Sequence, residues 1–355
     1  VKALIKENVA LAPLTTFRIG GPARYFIEAA TEEAIVGSVQ FAKERELPVF
    51  ILGGGSNLLV ADSGFPGLVI KVAVTGIERE RDGEKTIVRA AAGEDWDRFV
   101  ASCVEDDLAG IECLSGIPGL VGGTPVQNVG AYGQDISEVL VSVRAYDRKA
   151  DSIVTLSREA CQFSYRSSIF NSSARDSYIV LQVTYALTNH GAPAIRYPDV
   201  QRELEGKLES VKPGEVREAV RRIRARKAML LVEGDPDCRS AGSFFKNPLL
   251  TEREFLDLQS RLDGAGAPRY DAGPGRVKTS AAWLIERSGF SKGYTIGSAG
   301  ISTKHTLAIV NRGGARAVDI LRLAREIQLR VYGQFGVRLV SEPVLVGFPE
   351  RTPFV

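Results

Sequence analysis

Histidine is nearly absent: His190 and His305 are the only two in 355 residues. A metal site built on several imidazoles is therefore excluded, no metal is implied, and a Ser-His-Asp triad could draw on only one of these two side chains. Cysteine is almost as scarce. Cys103, Cys113, Cys161 and Cys238 form no C-x-x-C pair and no framework spacing, which suits a reducing compartment rather than a disulfide-stapled secreted domain. An excess of one charge is missing too. Forty-five Lys and Arg face 43 Asp and Glu, for a net charge of +2, so neither a nucleic acid nor a membrane surface is implied as a partner. The first residues, VKALIKENVA, lack the apolar centre of a signal peptide, and the expected location is the cytoplasm. The chain opens on Val1 rather than Met, from which we expect a few residues ahead of it. No repeat, low-complexity tract or apolar surface stripe is evident, and the expected state is a monomer. What remains is the composition of an ordinary globular protein, 44% hydrophobic and 25% charged, long enough for two or three domains.

Against that background one stretch stands out. Cys113 to Gln134, CLSGIPGLVGGTPVQNVGAYGQ, is the longest run without a charge, 22 residues with six glycines. So few side chains cannot fill a core, but backbone N–H groups freed of Cβ atoms can lie against a flat or anionic ligand. A flexible linker would not hold Ile117, Leu120, Val121, Val126 and Val129. A membrane span would not hold Pro118, Pro125, Gln127 and Asn128. A ligand-cradling loop is the expectation.

Taken in order, the chain first offers a strand ending in Tyr25–Ala29, preceded by Arg18 and a Gly20-Gly21-Pro22 turn. A helix is predicted over 31–46, capped by Thr31, with Glu32 and Glu33 at its positive end and Ile35, Val39 and Ala42 on one face. The short apolar run 49–52 reads as a buried strand and leads directly into Gly53-Gly54-Gly55-Ser56-Asn57. This junction is neither a dinucleotide fingerprint nor a Walker loop. It suits a pyrophosphate held by backbone N–H groups and equally suits a tight strand-to-strand turn. Residues 58–72 carry more strand. A strand at 87–91 and a helix at 95–106, with Trp96, Phe99, Val100 and Cys103 on one face, precede the long glycine loop. Strands rich in Val, Ile and Tyr follow at 138–146, 152–156 and 178–187. Between them CQFSYRSSIFN sets Arg166 beside Tyr165. It reads either as a surface stack or structural ion pair, or as a guanidinium presented to a carboxylate.

Near Pro213 the texture changes. A basic helix, EVREAVRRIRARKAM, places Arg221, Arg222, Arg224, Arg226 and Lys227 within seven residues, a solvated face or a partner for phosphates. AGSFFKNP follows, with Ser243 before two phenylalanines and Asn247 beyond. Thr251 and Glu254 spell a capping box. A helix and glycine turn lead to strands, one of them over 306–311. An amphipathic helix spans 318–335, and a closing strand over 337–347 embeds Glu342 in an apolar run. A carboxylate there is costly unless paired or useful.

The set of motifs resembles the UDP-N-acetylenolpyruvoylglucosamine reductase family. The stretches that carry the resemblance are TTFRIGGPA, LGGGSNLLV, LSGIPGLVGGTPVQNVGAYG, FSYRSSIF, AGSFFKNP, AAWLIERSGFSKG, GISTKHTLAIVN and SEPVLVG, in that order over about residues 14–347. Each is weak alone; together they are specific. FSYR and AGSFFKNP together resemble the larger of the family's two subtypes. The resemblance implies an α/β (α+β) fold. A two-subdomain FAD-binding fold of the vanillyl-alcohol-oxidase type would occupy residues 1–70 and 71–212. A smaller α/β substrate-binding domain would occupy 213–335, with a C-terminal strand over 336–355 returning to the active site. It implies non-covalent FAD, NADPH as hydride donor and a UDP-sugar enolpyruvyl ether as substrate. Cofactor contacts would be Gly53, Gly54, Gly55, Ser56, Asn57, Ser115, Gly116, Ile117, Pro118, Gly119, Gly122, Gly123, Gln127, Asn128, Gly130 and Arg224. Substrate contacts would be Tyr197, Lys227 and Asn247.

In the family reaction FAD takes a hydride from NADPH, and flavin N5 then gives a hydride to the terminal alkene carbon of the enolpyruvyl group. Negative charge reaches the carboxylate as an enolate, and a proton must be delivered to the carbon beside it. The resemblance assigns these tasks to Arg166, Glu342 and Ser243. Arg166 has the charge and geometry to stabilise the enolate. Glu342 could assist if protonated or if it orients another group. Ser243 is a weak acid, but an enolate is a strong base. No histidine is needed, in keeping with their scarcity. Two rivals remain at this stage, another FAD oxidoreductase of the same superfamily and a flavin-binding homologue without chemistry. The first has no reason to keep SYR, GSFFKN and SEP together, and the second none to keep Ser243, Arg166 and Glu342.

Overall fold

A computed structural model of the protein describes residues 4–204, 210–262, 264 and 266–349. Residues 350–355 of the expected C-terminal return lie outside the described residues. The chain forms two compact units and passes between them repeatedly. Unit 1 takes the described residues of Val1–Val9, Ala23–Gly54 and Pro66–Leu230; unit 2 takes those of Ala10–Pro22, Gly55–Phe65 and Leu231–Val355. The change of texture at Pro213 thus falls inside unit 1, whose last segment ends at Leu230.

Among its described residues unit 1 holds a two-stranded sheet, Gly130–Ala131 with Gln134–Asp135, and two larger ones. One has four strands in the order Lys6–Ala10, Pro22–Ala29, Phe65–Val72, Val49–Leu52, the last two parallel. The other runs Ser152–Ser157, Leu140–Asp147, Tyr178–Asn189, Lys85–Ala91, Ile77–Asp82, antiparallel throughout, and the short strand Leu108–Ala109 pairs with the end of Tyr178–Asn189. The helices follow the sequence signals. Helix α1 (Glu32–Lys43) starts where the Thr31 hydroxyl accepts the Ala34 N–H at 3.1 Å and buries Ile35, Val39 and Ala42. Helix α2 (Trp96–Glu105) is capped by the Asp95 carboxylate and buries the expected face: Trp96, Phe99, Val100 and Cys103. Both helices join one apolar cluster with Ile27, Leu68, Val88, Leu181 and Val183, so the two larger sheets of unit 1 share a core. A smaller cluster packs helix α3 (Pro198–Glu203) and helix α4 (Pro213–Arg226) against Cys113, through Val200, Val216, Val220 and Ile223. This satellite core sets α4 beside the start of the glycine-rich loop.

Unit 2 has short strands and three helices among its described residues. Helix α5 (Glu252–Ser260) opens with the expected box, the Thr251 hydroxyl accepting the Glu254 N–H while Glu254 accepts the Thr251 N–H. Helix α6 (Ala281–Arg287) is capped by Ser280. Helix α7 (Ala317–Phe335) buries Ile320, Leu323, Ala324, Ile327 and Val331 and ends at Gly336 in the left-handed region. Leu249–Thr251, Arg276–Lys278 and Tyr270–Asp271 form one small sheet; Thr295–Ile296, Ala299–Ile301 and Ile309–Asn311 form another. Leu58–Val60 pairs in parallel with Val344–Val346. Two expected strands are shorter than the apolar pattern suggested. Residues 306–308 belong to a turn in which the Leu307 N–H donates to His305 Nδ1 at 3.0 Å, leaving Ile309–Asn311 as the strand. The closing strand is confined to Val344–Val346, because 340–342 instead make an isolated bridge to residues 244–246.

Candidate active site

The glycine-rich loop is anchored at its near arm by α2. The indole Nε1–H of Trp96 donates to the Leu114 carbonyl at 3.0 Å, and the Gly116 N–H donates to Asp97 Oδ1 at 2.6 Å. Gly116 sits at φ 71°, a conformation that strains residues with a Cβ. Further on, Trp96 N–H donates to the Gly119 carbonyl, and Val121 and Gly122 N–H donate to Glu94 and Ala92. Partly exposed Ile117, Gly119 and Leu120 are left with N–H groups that find no acceptor among the described residues. The first glycine loop comes against this one. A Cβ on Gly54 would lie 2.7 Å from the Gly119 Cα, so only glycine permits the approach. Gly53 and Gly123 have open space where a Cβ would point. Ser115, by contrast, is wholly buried and donates its hydroxyl to the Glu112 carbonyl. Gly122 is glycine because Ala92 lies against it.

The far arm of the loop is tied to the segment that bears Arg166. Asn128 Nδ2 donates to the Ser164 carbonyl at 3.1 Å and the Ser168 hydroxyl donates to the Val126 carbonyl at 2.7 Å. Arg166, with φ 54°, donates to the Gly130 carbonyl at 2.5 Å and the Asn128 carbonyl at 3.4 Å, and lies 3.8 Å from Asp135. Its side chain is four-fifths buried and sits over the Tyr165 ring. Arg166, Gln127, Asn128 and Gly130 therefore share one neighbourhood.

The basic run on α4 is mostly neutralised. Arg217 and Arg221 both meet Asp97 at 2.5 Å, Arg222 and Arg226 meet Glu203 at 2.9 and 2.5 Å, and Lys227 just beyond the helix meets Asp199 at 2.7 Å. Burial alone would raise the Asp97 pKa; Arg217, the Gly116 N–H and Arg221 outweigh it and hold the carboxyl below its usual range. Arg224 differs. It donates to the Gly116 carbonyl at 3.1 Å and the Met229 carbonyl at 2.6 Å, with no carboxylate in ion-pair range among the described residues. Burial pushes this guanidinium down, while Tyr132 and Asp97 oppose the shift. Tyr197 is exposed and packs edge-on against Tyr132, ring centroids 5.4 Å apart.

In unit 2, backbone pairing brings Ser243 next to Glu342 across a hundred residues of sequence. Glu342 N–H donates to the Phe244 carbonyl at 2.9 Å, Lys246 N–H donates to the Val340 carbonyl at 2.9 Å, and Phe245 bridges Ser341. Phe244 and Phe245 are both buried in the core of unit 2 at this crossing. The partly exposed Ser243 hydroxyl makes no hydrogen bond within the described residues. Asn57 Nδ2 donates to the Glu342 carbonyl at 3.4 Å and the Asn57 carbonyl accepts the Val344 N–H at 2.9 Å, so the end of the Gly-Ser-Asn loop lies beside the Glu342 backbone. Asn247 accepts the Ala281 N–H at 3.0 Å, at the start of α6.

A family model of the FAD binding domain matches residues 23–157, and one for the C-terminal domain of UDP-N-acetylenolpyruvoylglucosamine reductase matches residues 235–346. A UDP-N-acetylenolpyruvoylglucosamine reductase of Thermobifida fusca is 49% identical over 349 residues, 96% of this chain and 98% of the relative. The chain belongs to the UDP-N-acetylenolpyruvoylglucosamine reductase family. A second such reductase, from Streptomyces coelicolor, is also 49% identical, over 96% of this chain and 90% of its own. A crystal structure of UDP-N-acetylenolpyruvylglucosamine reductase from Thermus caldophilus aligns over 96% of this chain and 99% of its own with a TM-score of 0.66 at 27% identity. The mixed α/β architecture expected from the sequence, an FAD-binding domain and a further C-terminal domain, is that of the reductase family.

The residues present fit the cofactor of such a reductase. Among the described residues, three N–H groups without acceptors and a guanidinium without a carboxylate in ion-pair range have the chemistry that a pyrophosphate asks for. Sequence reasoning read Trp96 only as part of a buried helix face, and missed Asp97, Glu112 and Gln134, which with it anchor the loop. Of the three missed, Glu112 and Gln134 left a trace, as the charge just before the uncharged run and the amide that ends it.

Proposed function

We propose that this protein reduces UDP-N-acetylglucosamine enolpyruvate to UDP-N-acetylmuramate with NADPH and non-covalent FAD, a step in peptidoglycan precursor synthesis. The observation that carries the proposal is 49% identity to a reductase of that name over 96% of the chain. FAD, when bound, supplies a hydride acceptor toward NADPH and a hydride donor toward the enolpyruvyl alkene. The chain's own residues do the rest. The backbone of Gly53 to Asn57 and of the loop from Ser115 to Gly130, together with Arg224, holds the cofactor. Arg166 stabilises negative charge on the substrate carboxylate. Its anchoring on the Gly130 and Asn128 carbonyls fixes the direction of its guanidinium.

Ser243 donates a proton to the carbon beside that carboxylate. Its hydroxyl, unbonded within the described residues, is available for this role. Glu342 acts beside it, held in register by its own backbone N–H on Phe244. Tyr197, Lys227 and Asn247 contact the UDP-sugar, Lys227 exchanging Asp199 for the diphosphate. The enzyme works as a cytoplasmic monomer. Its charge is balanced, and no helix among the described residues is long and apolar enough to cross a membrane. Under anaerobic conditions the yellow protein is expected to bleach with NADPH and regain its colour with the enolpyruvyl substrate. Recolouring by oxygen alone, with no response to substrate, would overturn the proposal.

A further inference from the structure

The glycine-rich loop is closed at its base by a pair of buried side chains that the reaction does not use. Glu112 is wholly buried and Gln134 nearly so. Glu112 Oε2 accepts the Gly110 N–H at 2.6 Å, and Glu112 Oε1 accepts Gln134 Nε2–H at 2.6 Å. Gln134 Oε1 in turn accepts the Cys113 N–H at 2.8 Å. No cation pairs with Glu112 among the described residues. A carboxylate withdrawn from water among amides is a costly way to close a loop, and its compensation is acceptor strength: bonds to an ionised oxygen are about twice as strong as neutral ones.

The position of the pair gives it a role. The near arm, Ser115–Gly119, is held by α2 and α4 through Trp96, Asp97 and Arg224. The far arm, Gln127–Gly130, is held by the 161–171 segment through Ser164, Arg166 and Ser168. Gln134 rides on the small hairpin formed by Gly130–Ala131 and Gln134–Asp135, and Glu112 directly precedes the near arm. The bond between them links the two arms. We propose that Glu112 and Gln134 are positioning residues for FAD, a buried clamp that sets the separation of the loop's two arms. This rests on the reading that the loop cradles FAD.

The clamp is testable because its three hydrogen bonds survive an exchange. In Glu112→Gln the new amide faces either Gly110 N–H or Gln134 Nε2–H with a second donor. In Gln134→Glu two carboxylates meet in a buried site. In the double variant the amide at position 112 accepts from the Gly110 N–H and donates to the carboxylate at position 134. That carboxylate accepts the Cys113 N–H, and the net charge is unchanged. FAD affinity of the apo-protein is measured by quenching of flavin fluorescence, alongside the flavin absorption spectrum and the melting temperature of the apo-protein. Each single variant is expected to bind FAD at least about tenfold more weakly, and the double variant to return to within about threefold of wild type.

Singles that bind as wild type, or a double no better than the weaker single, would overturn the clamp. Should a single variant fail to fold, Gln134→Met replaces it, removing the bond to Glu112 without adding charge. Gly123→Leu tests the cradle separately, since a side chain there meets open space in the protein itself. If Gly123→Leu weakens FAD binding and the clamp singles do not, the cradle stands and the clamp falls. If Gly123→Leu binds FAD normally, both fall.

Discussion

At the scale of single residues the half-reactions separate the roles. Only the second half-reaction needs a proton at carbon. Ser243→Ala is therefore expected to leave flavin reduction by NADPH nearly intact and to slow reoxidation by the enolpyruvyl substrate, by roughly 100-fold or more for a lost proton donor. Stopped-flow traces of the two steps check this, and equal damage to both would remove Ser243 from the proton path. Arg224 makes a different prediction. Its planar fork spans the Gly116 and Met229 carbonyls, a geometry that the point charge of lysine cannot copy. Arg224→Lys is expected to raise the dissociation constant for FAD about tenfold by equilibrium titration, with little change in the rate of proton delivery.

Among elements, the docking of α4 depends on carboxylates. Asp97 is held below its usual range, and Glu203, bonded to Arg226 and Arg222, is pulled from 4.5 to about 2. A pKa depressed in the folded state gives stability that is present above the unfolded value and lost as pH falls through the folded one. The contribution is thus full at neutral pH and disappears between about pH 4.5 and 2. Asp97→Asn is expected to cost about 1–3 kcal/mol in urea unfolding near neutrality, with the gap to wild type closing as the acid limb is entered. A gap that stays constant throughout the acid limb would count against the ion-pair account.

The same elements show how far the sequence can be read. Local signals were legible: Thr31 as a cap, the Thr251–Glu254 box, the 49–52 strand and the buried faces of α1 and α2 all appear where short-range chemistry put them. Long-range pairing was not. Nothing near the basic run announces that Asp97 will meet Arg217 and Arg221 from more than a hundred residues away. The apolar run 337–347 looks like one strand, yet its first half is taken up by a crossing with 244–246 that sets Glu342 beside Ser243. The motifs named the family and the candidate residues; which carbonyl steadies Arg166 or Arg224 is written only in the fold.

On the scale of the whole molecule, the two units are interleaved in sequence. Unit 2 draws on Ala10–Pro22 and Gly55–Phe65 as well as the C-terminal stretch. Phe17 and Leu59 are fully buried in its core, and Leu58–Val60 is the pairing partner of Val344–Val346. The segment matched by the C-terminal family model is therefore not self-sufficient. A fragment of residues 231–349 is expected to show no cooperative thermal transition by circular dichroism, whereas the intact chain does. A cooperative melt of that fragment would mean that the early segments are dispensable.

The pairing of Leu58–Val60 with Val344–Val346 also has a consequence for biosynthesis. The two strands are separated by roughly 290 residues, and at about 5–20 residues per second a ribosome needs roughly a quarter of a minute to a minute to make the second after the first. Throughout that interval the early strand has no native neighbour on that edge. Translation speed and chaperone supply, rather than the stability of the finished enzyme, would then govern how much of the nascent chain reaches the native state.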